Sequence, residues 1–103
     1  MKIDPPDHLS DASKQLFREV LEHYELELHH QRLLTLLCEA FDRGAAAQAV
    51  ITADGLVVED RYGRPKVHPA VTVKRDADIT AARLLRELDL DADPTPDTRV
   101  PRR

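Results

Sequence analysis

The chain has 103 residues, 15 Lys plus Arg against 19 Asp plus Glu, and a formal charge of −4. That length suits one small domain, and the acidic balance excludes indiscriminate polyanion binding driven by net charge. The longest uncharged apolar runs fall far short of the roughly 20 residues that cross a bilayer, and Met1 to Pro6 carries no signal-peptide core, so a soluble, intracellular protein without a membrane partner is expected.

The apolar share of 42% comes from Leu, Ala and Val, with two Phe, two Tyr and no Trp. Such a composition gives a single copy a thin core, which association with further copies would relieve. The single cysteine, Cys38, lies in the apolar run LLTLLCEAF and is expected to be a buried structural thiol.

The opening, residues 1–9, is rich in Pro and Asp and is expected to form an irregular arm, with Leu9 as a staple residue and Ser10 as the N-cap of a first helix. Over about residues 10–25, Leu16, Phe17, Val20, Leu21 and Tyr24 recur at three- and four-residue steps and define one apolar face. The piece ELELHH interrupts that period, and a second helix is expected over about residues 30–54, started by His29 or His30 and stopped by Gly55. At 1.5 Å per residue it would span on the order of 35 Å, too long for the first helix to cover. Gly44 inside it permits close helix contact or a bend.

The segment LVVEDRYGRPKVHP then reads as a β-hairpin over about residues 56–67, with Leu56 to Glu59 and Pro65 to Val67 as arms. Two short strands are marginal alone and persist by packing on something or by joining strands of neighbouring subunits. His68-Pro69 resembles a helix entrance, and Ala70, Val73, Ala77, Ala81, Leu84, Leu85 and Leu88 line one side of a third helix over about residues 69–90. The Pro-rich residues 91–103 are expected to be a disordered tail. The fold class is thus mainly α, with residues 10–90 as one helical domain carrying a hairpin.

No catalytic spacing appears. Phosphate cradles of the GxxxxGK[ST] or GxGxxG type are missing, as are a nucleophile elbow and a Cys-His pair, so no enzyme activity and no cofactor are expected. His23, His29 and His30 are the best metal candidates, yet they match neither HExxH nor a Cys/His ligand pattern, and no metal site is expected.

Charge distribution is more informative than its sum. Residues 1–60 hold 5 bases and 12 acids (−7), residues 61–75 hold 5 bases and no acid (+5), and residues 76–103 hold 5 bases and 7 acids (−2). The central cluster, Arg61, Arg64, Lys66, Lys74 and Arg75, is the candidate phosphate contact, with Arg83 and Arg86 as a second tier. In a symmetric ring these cations would be multiplied around an axis. Leu36, Phe41, Leu56, Val57, Val58 and Val67 are the candidate oligomer contacts. An alternative is a helical protein-interaction adaptor, antitoxin-like or a dimeric scaffold, in which the basic loop meets an acidic protein surface.

The succession PPDHLSDASKQLFREV, QRLLTLLCEAFDRGAAAQAVITADGLVVEDRYGRPKVHPAV and AARLLRELDL resembles the small subunit of tailed-phage terminase over about residues 5–90. That resemblance implies a non-catalytic viral DNA-packaging factor in the host cytoplasm, not expected in the mature virion. It would assemble as a homo-oligomeric ring, bind viral double-stranded DNA, and recruit and stimulate the terminase large subunit, which carries ATPase and nuclease activity. The family often reads DNA through an N-terminal helix-turn-helix. Here residues 10–43 are acidic, which moves the expected DNA contact to the central cations. Where relatives often have Asp before the second helix and Asn before the Pro-Ala pair, this chain has His29 and His68, a titratable group at each helix start.

Overall fold

The computed structural model describes residues 3–90. Three helices, α1 (Asp11–His23), α2 (Leu28–Asp54) and α3 (Pro69–Leu88), enclose a two-stranded antiparallel hairpin, β1 (Val57–Glu59) and β2 (Pro65–Val67), between the second and third. The expected mainly helical fold is therefore present, with small shifts at the helix ends. α1 stops before Tyr24, whose backbone is extended (φ −136°), and α3 gives way at Asp89, which takes the left-handed φ of 51°. The tail from residue 91 lies outside the described residues.

Each helix start has a local cause, and one differs from expectation. Ser10 caps α1 by accepting a hydrogen bond from the Ser13 amide, and His68 caps α3 by accepting one from the Ala70 amide ahead of Pro69. α2 begins two residues earlier than expected, at Leu28, with Glu27 as its N-cap and no side-chain capping bond. His29 and His30 consequently lie inside the first turn and cap nothing. Gly55 ends α2 with φ +86°, a backbone angle that favours glycine, and its amide donates to the Ile51 carbonyl at 2.7 Å.

α1 packs on the first half of α2, where Phe17 and Val20 meet Leu34, Leu37 and Cys38, and Leu9 of the preceding arm closes the same cluster. α3 reaches it with Ala81, Leu84 and Leu88, so all three helices share one core. Further along, α2 and α3 face each other through small residues: Ala40, Gly44 and Ala47 on one side, Ala77 and Ala81 on the other. A methyl at Gly44 would lie 3.6 Å from the Ala77 Cβ and 3.5 Å from an Asp78 carboxylate oxygen, ordinary contact distances that leave no room for anything larger. The expected close helix contact at Gly44 is present. Cys38 is fully buried, and desolvation, followed by the carboxylates of Asp42 and Glu39, pushes its thiol up to about 11. It is thus the structural thiol that its apolar setting suggested.

A polar clasp joins α1 to α2. Asp42 accepts from the Ser10 amide at 2.8 Å, from the Ser10 hydroxyl at 2.6 Å and from the buried Ser13 hydroxyl at 2.6 Å. His8 of the arm reaches Glu39 on the same side of α2 at 2.6 Å. Partial burial alone would raise the Asp42 carboxyl, but the hydrogen bonds from Ser10 and Ser13 outweigh it and hold it below its ordinary value.

A group depressed in the folded state contributes stability above its unfolded pKa, about 3.9, and that contribution is lost as pH falls through the folded value. Asp42→Ala should therefore destabilise the protein by about 1–3 kcal/mol in thermal melts near neutral pH. The gap between variant and parent should shrink once pH drops below about 4. A gap that stays constant into that range would show that the carboxylate is not the clasp.

Candidate nucleic-acid interface

The hairpin turn is organised by one acid. Asp60 sits where β1 ends, and its Oδ1 accepts from the Tyr62 amide at 2.8 Å and the Arg64 amide at 2.9 Å, while the Asp60 amide donates to the Arg64 carbonyl at 2.8 Å. Gly63, with φ +77°, completes the three-residue loop. These bonds, with the Arg64 amide as the largest contributor, hold the Asp60 carboxyl below its ordinary value. Because the backbone of the turn is satisfied by Asp60, its side chains are free to project outward.

What projects is a cation–aromatic–cation unit. The guanidinium carbons of Arg64 and Arg61 lie 5.1 Å and 5.9 Å from the centre of the Tyr62 ring, which is 71% exposed. Contacts of this kind are worth about 0.5–1 kcal/mol at exposed sites. Tyr62 was not among the residues singled out from the sequence, although the run RYGR carried the signal: an aromatic between two arginines at a glycine turn. Lys66 follows on β2, exposed, opposite Val58 in the strand register.

The base of the hairpin is fixed to the helices by His68. Its Nδ1 accepts from the Ala70 amide at 3.0 Å, which leaves Nε2 as the protonated nitrogen, 2.9 Å from the Asp54 carboxylate at the end of α2. Its own amide donates to the Leu56 carbonyl at 2.8 Å. One half-buried imidazole thus couples the end of α2, the hairpin and the start of α3.

The absence of acids within residues 61–75 does not translate into free cations. Asp60 and Asp78 flank the stretch at helical or turn spacing: Arg64 Nε lies 3.3 Å from Asp60, and Lys74 Nζ lies 2.6 Å from Asp78. Arg75 approaches Asp76 at 3.7 Å. Among the described residues, Arg61 and Lys66 form no ion pair. Exposed pairs of this kind contribute about 0.2–1 kcal/mol, little enough for a phosphate to displace the carboxylate. The seven candidate cations also do not form one patch. Arg61, Arg64 and Lys66 share the hairpin, whereas Arg75, Arg83 and Arg86 recur along the solvent side of α3, opposite the buried Ala77, Ala81, Leu84 and Leu88. Arg83 lies about 20 Å of helix rise beyond the hairpin base.

The candidate association residues are largely uncovered. Leu56, Val57 and Val67 are 61%, 59% and 63% exposed, with Val57 and Val67 paired directly across the hairpin. Leu36 and Phe41 are exposed on α2, while Val58 is half-buried on the opposite hairpin face. Beside the hairpin, Ile51, Leu56, Val71 and Ile79 line a shallow groove of about 380 Å³ between α2 and α3, rimmed by Lys74 and Arg75. No helix among the described residues is long and apolar enough to cross a membrane.

A basic hairpin on a helical body, with an apolar face left open beside it, defines a small helical module. The family model for the phage terminase small subunit matches residues 12–100, and the chain belongs to that family. Neither a curated protein nor a solved structure shows significant similarity to it. Membership assigns a general role in viral DNA packaging and a family that is generally non-catalytic.

His68→Ala should lower stability by about 1 kcal/mol and speed amide exchange across residues 56–70, because both the cap and the tie to Asp54 are removed. His68→Asn, which keeps a capping side chain, should recover much of the stability. Equal exchange rates in the parent and His68→Ala would show that the imidazole does not hold the hairpin.

Proposed function

We propose that this protein is a DNA-packaging adaptor whose copies associate through the apolar hairpin face and the adjoining α2–α3 groove, and whose hairpin cations engage the backbone of viral double-stranded DNA. The observation that carries this reading is the hairpin itself: Arg61 and Lys66 in no ion pair among the described residues, Arg64 held only by an exposed pair, and an uncovered Val57–Val67 face on the same two strands. A structural turn needs neither feature. The small size of the hairpin also suits assembly, since two strands of three residues gain little by themselves and gain more when neighbouring copies pack against them.

In such an assembly, ring-shaped by family resemblance, each copy brings its Arg61–Tyr62–Arg64 tip and Lys66 to one polyvalent surface, so individually weak phosphate contacts add. The DNA so held would be presented to the terminase large subunit, whose recruitment and stimulation complete the role. Catalysis would belong to that partner.

Fluorescence anisotropy of duplex DNA against the protein, repeated over a range of salt, tests the DNA half. Binding should weaken steeply with salt, and Arg61→Glu with Lys66→Glu should lower affinity and flatten the log–log salt slope by about 1–2. Arg83→Glu with Arg86→Glu should act less. Identical affinity and slope in the hairpin variant would remove the hairpin as the contact, and no binding by the parent at low salt would favour a protein-interaction adaptor.

A further inference from the structure

We infer that the start of α2 is a divalent metal site, formed by Glu27, His29 and His30 and suited to Zn²⁺. Three of the five histidines have their rings committed elsewhere: His8 to Glu39, His23 Nδ1 to the Glu19 carbonyl at 2.8 Å, and His68 to Asp54 and the Ala70 amide. His29 and His30 make no hydrogen bond among the described residues. Their rings instead converge, with centroids 4.1 Å apart. Neighbouring residues on a helix normally point about 100° apart, so two adjacent imidazoles in ring contact is a specific arrangement.

Glu27 supplies the third donor. At the N-cap position of α2 it makes no capping bond, and its carboxylate lies 3.5 Å from His29 Nδ1. One donor atom from each of the three residues falls within 4.8 Å of the others. Donors on a tetrahedral Zn²⁺ at about 2.1 Å sit about 3.4 Å apart. The Glu27–His29 pair already has that spacing, and rotation of the exposed Glu27 and His29 side chains would close the remaining gap to the half-buried His30. Two imidazole nitrogens and one carboxylate oxygen match the preference of Zn²⁺, with water in the fourth position. The positive end of the α2 dipole opposes a cation there, and the Glu27 charge counters it.

The sequence concealed the site because it has no regular motif. His23 looked like the natural companion of the His pair, but its ring is taken by the α1 backbone, and the ligand that replaces it is a glutamate two residues before His29.

Isothermal titration of the untagged, metal-free full-length chain with zinc chloride near neutral pH tests the assignment, with circular dichroism confirming that each variant stays folded. Saturable binding of one ion per chain is expected. His29→Asn with His30→Asn should weaken it by more than about tenfold, the loss that removal of even an outer-sphere partner can cause. Glu27→Gln should also weaken it, and His23→Asn should leave it unchanged. Cobalt(II) should give visible absorption bands that the double histidine variant lacks. Absence of saturable binding overturns the inference, as does zinc binding that survives unchanged in both the double histidine and Glu27→Gln variants.

Discussion

The architecture depends on the seam between α2 and α3. Its outer stretch is built from Gly44, Ala47 and Ala77, which let two helices approach closely but bury little area per residue. Removing a methyl-sized group from water gains about 0.8 kcal/mol, whereas burying a Leu or Phe gains about 1.5–3. The strong cohesion therefore lies at the other end of the molecule, where Leu9, Phe17, Val20, Leu34, Leu37, Leu84 and Leu88 gather. The hairpin hangs from the weakly packed end, tied by His68 and Asp54, with its own apolar face and the neighbouring groove still open. Uncovered apolar side chains occur at both ends, Leu28 at 66% exposed among them, but at the hairpin they coincide with the weakest packing.

The charged groups follow the same division. At the cohesive end, acids do structural work: Asp42 holds Ser10 and Ser13, and Glu39 holds His8. At the hairpin, Asp60 shapes the turn through its hydrogen bonds to the backbone and holds Arg64 in an exposed ion pair, while Arg61 and Lys66 face outward. Tyr62 between Arg61 and Arg64 gives that tip an exposed aromatic surface as well as charge.

Much of the fold was legible because its signals were local. The periodic apolar set of α1, the Ser10 cap, the His68-Pro69 entrance, the positive-φ stop at Gly55 and the Gly- and Pro-marked hairpin each depend on a few neighbouring residues. The features that escaped depend on residues distant in sequence or on side-chain direction. Asp42 as a receiver for two serines more than 25 positions away carries no local mark. The start of α2 was misplaced because Glu27 serves as a cap position without capping, which made His29 and His30 look like the boundary. The pairing of Lys74 with Asp78 follows the four-residue helix rule, but Asp78 lies just beyond the acid-free stretch. Membership of the terminase small subunit family was readable from the order of these segments, although none of them is a catalytic signature.

The account turns on whether copies of this chain cover each other's apolar hairpin face. Sedimentation velocity across the micromolar range, without DNA, measures this directly. A discrete, symmetric assembly is expected, one that dissociates when Val57 and Val67 are both replaced by Asp. A parent chain that sediments as a monomer throughout that range would contradict it.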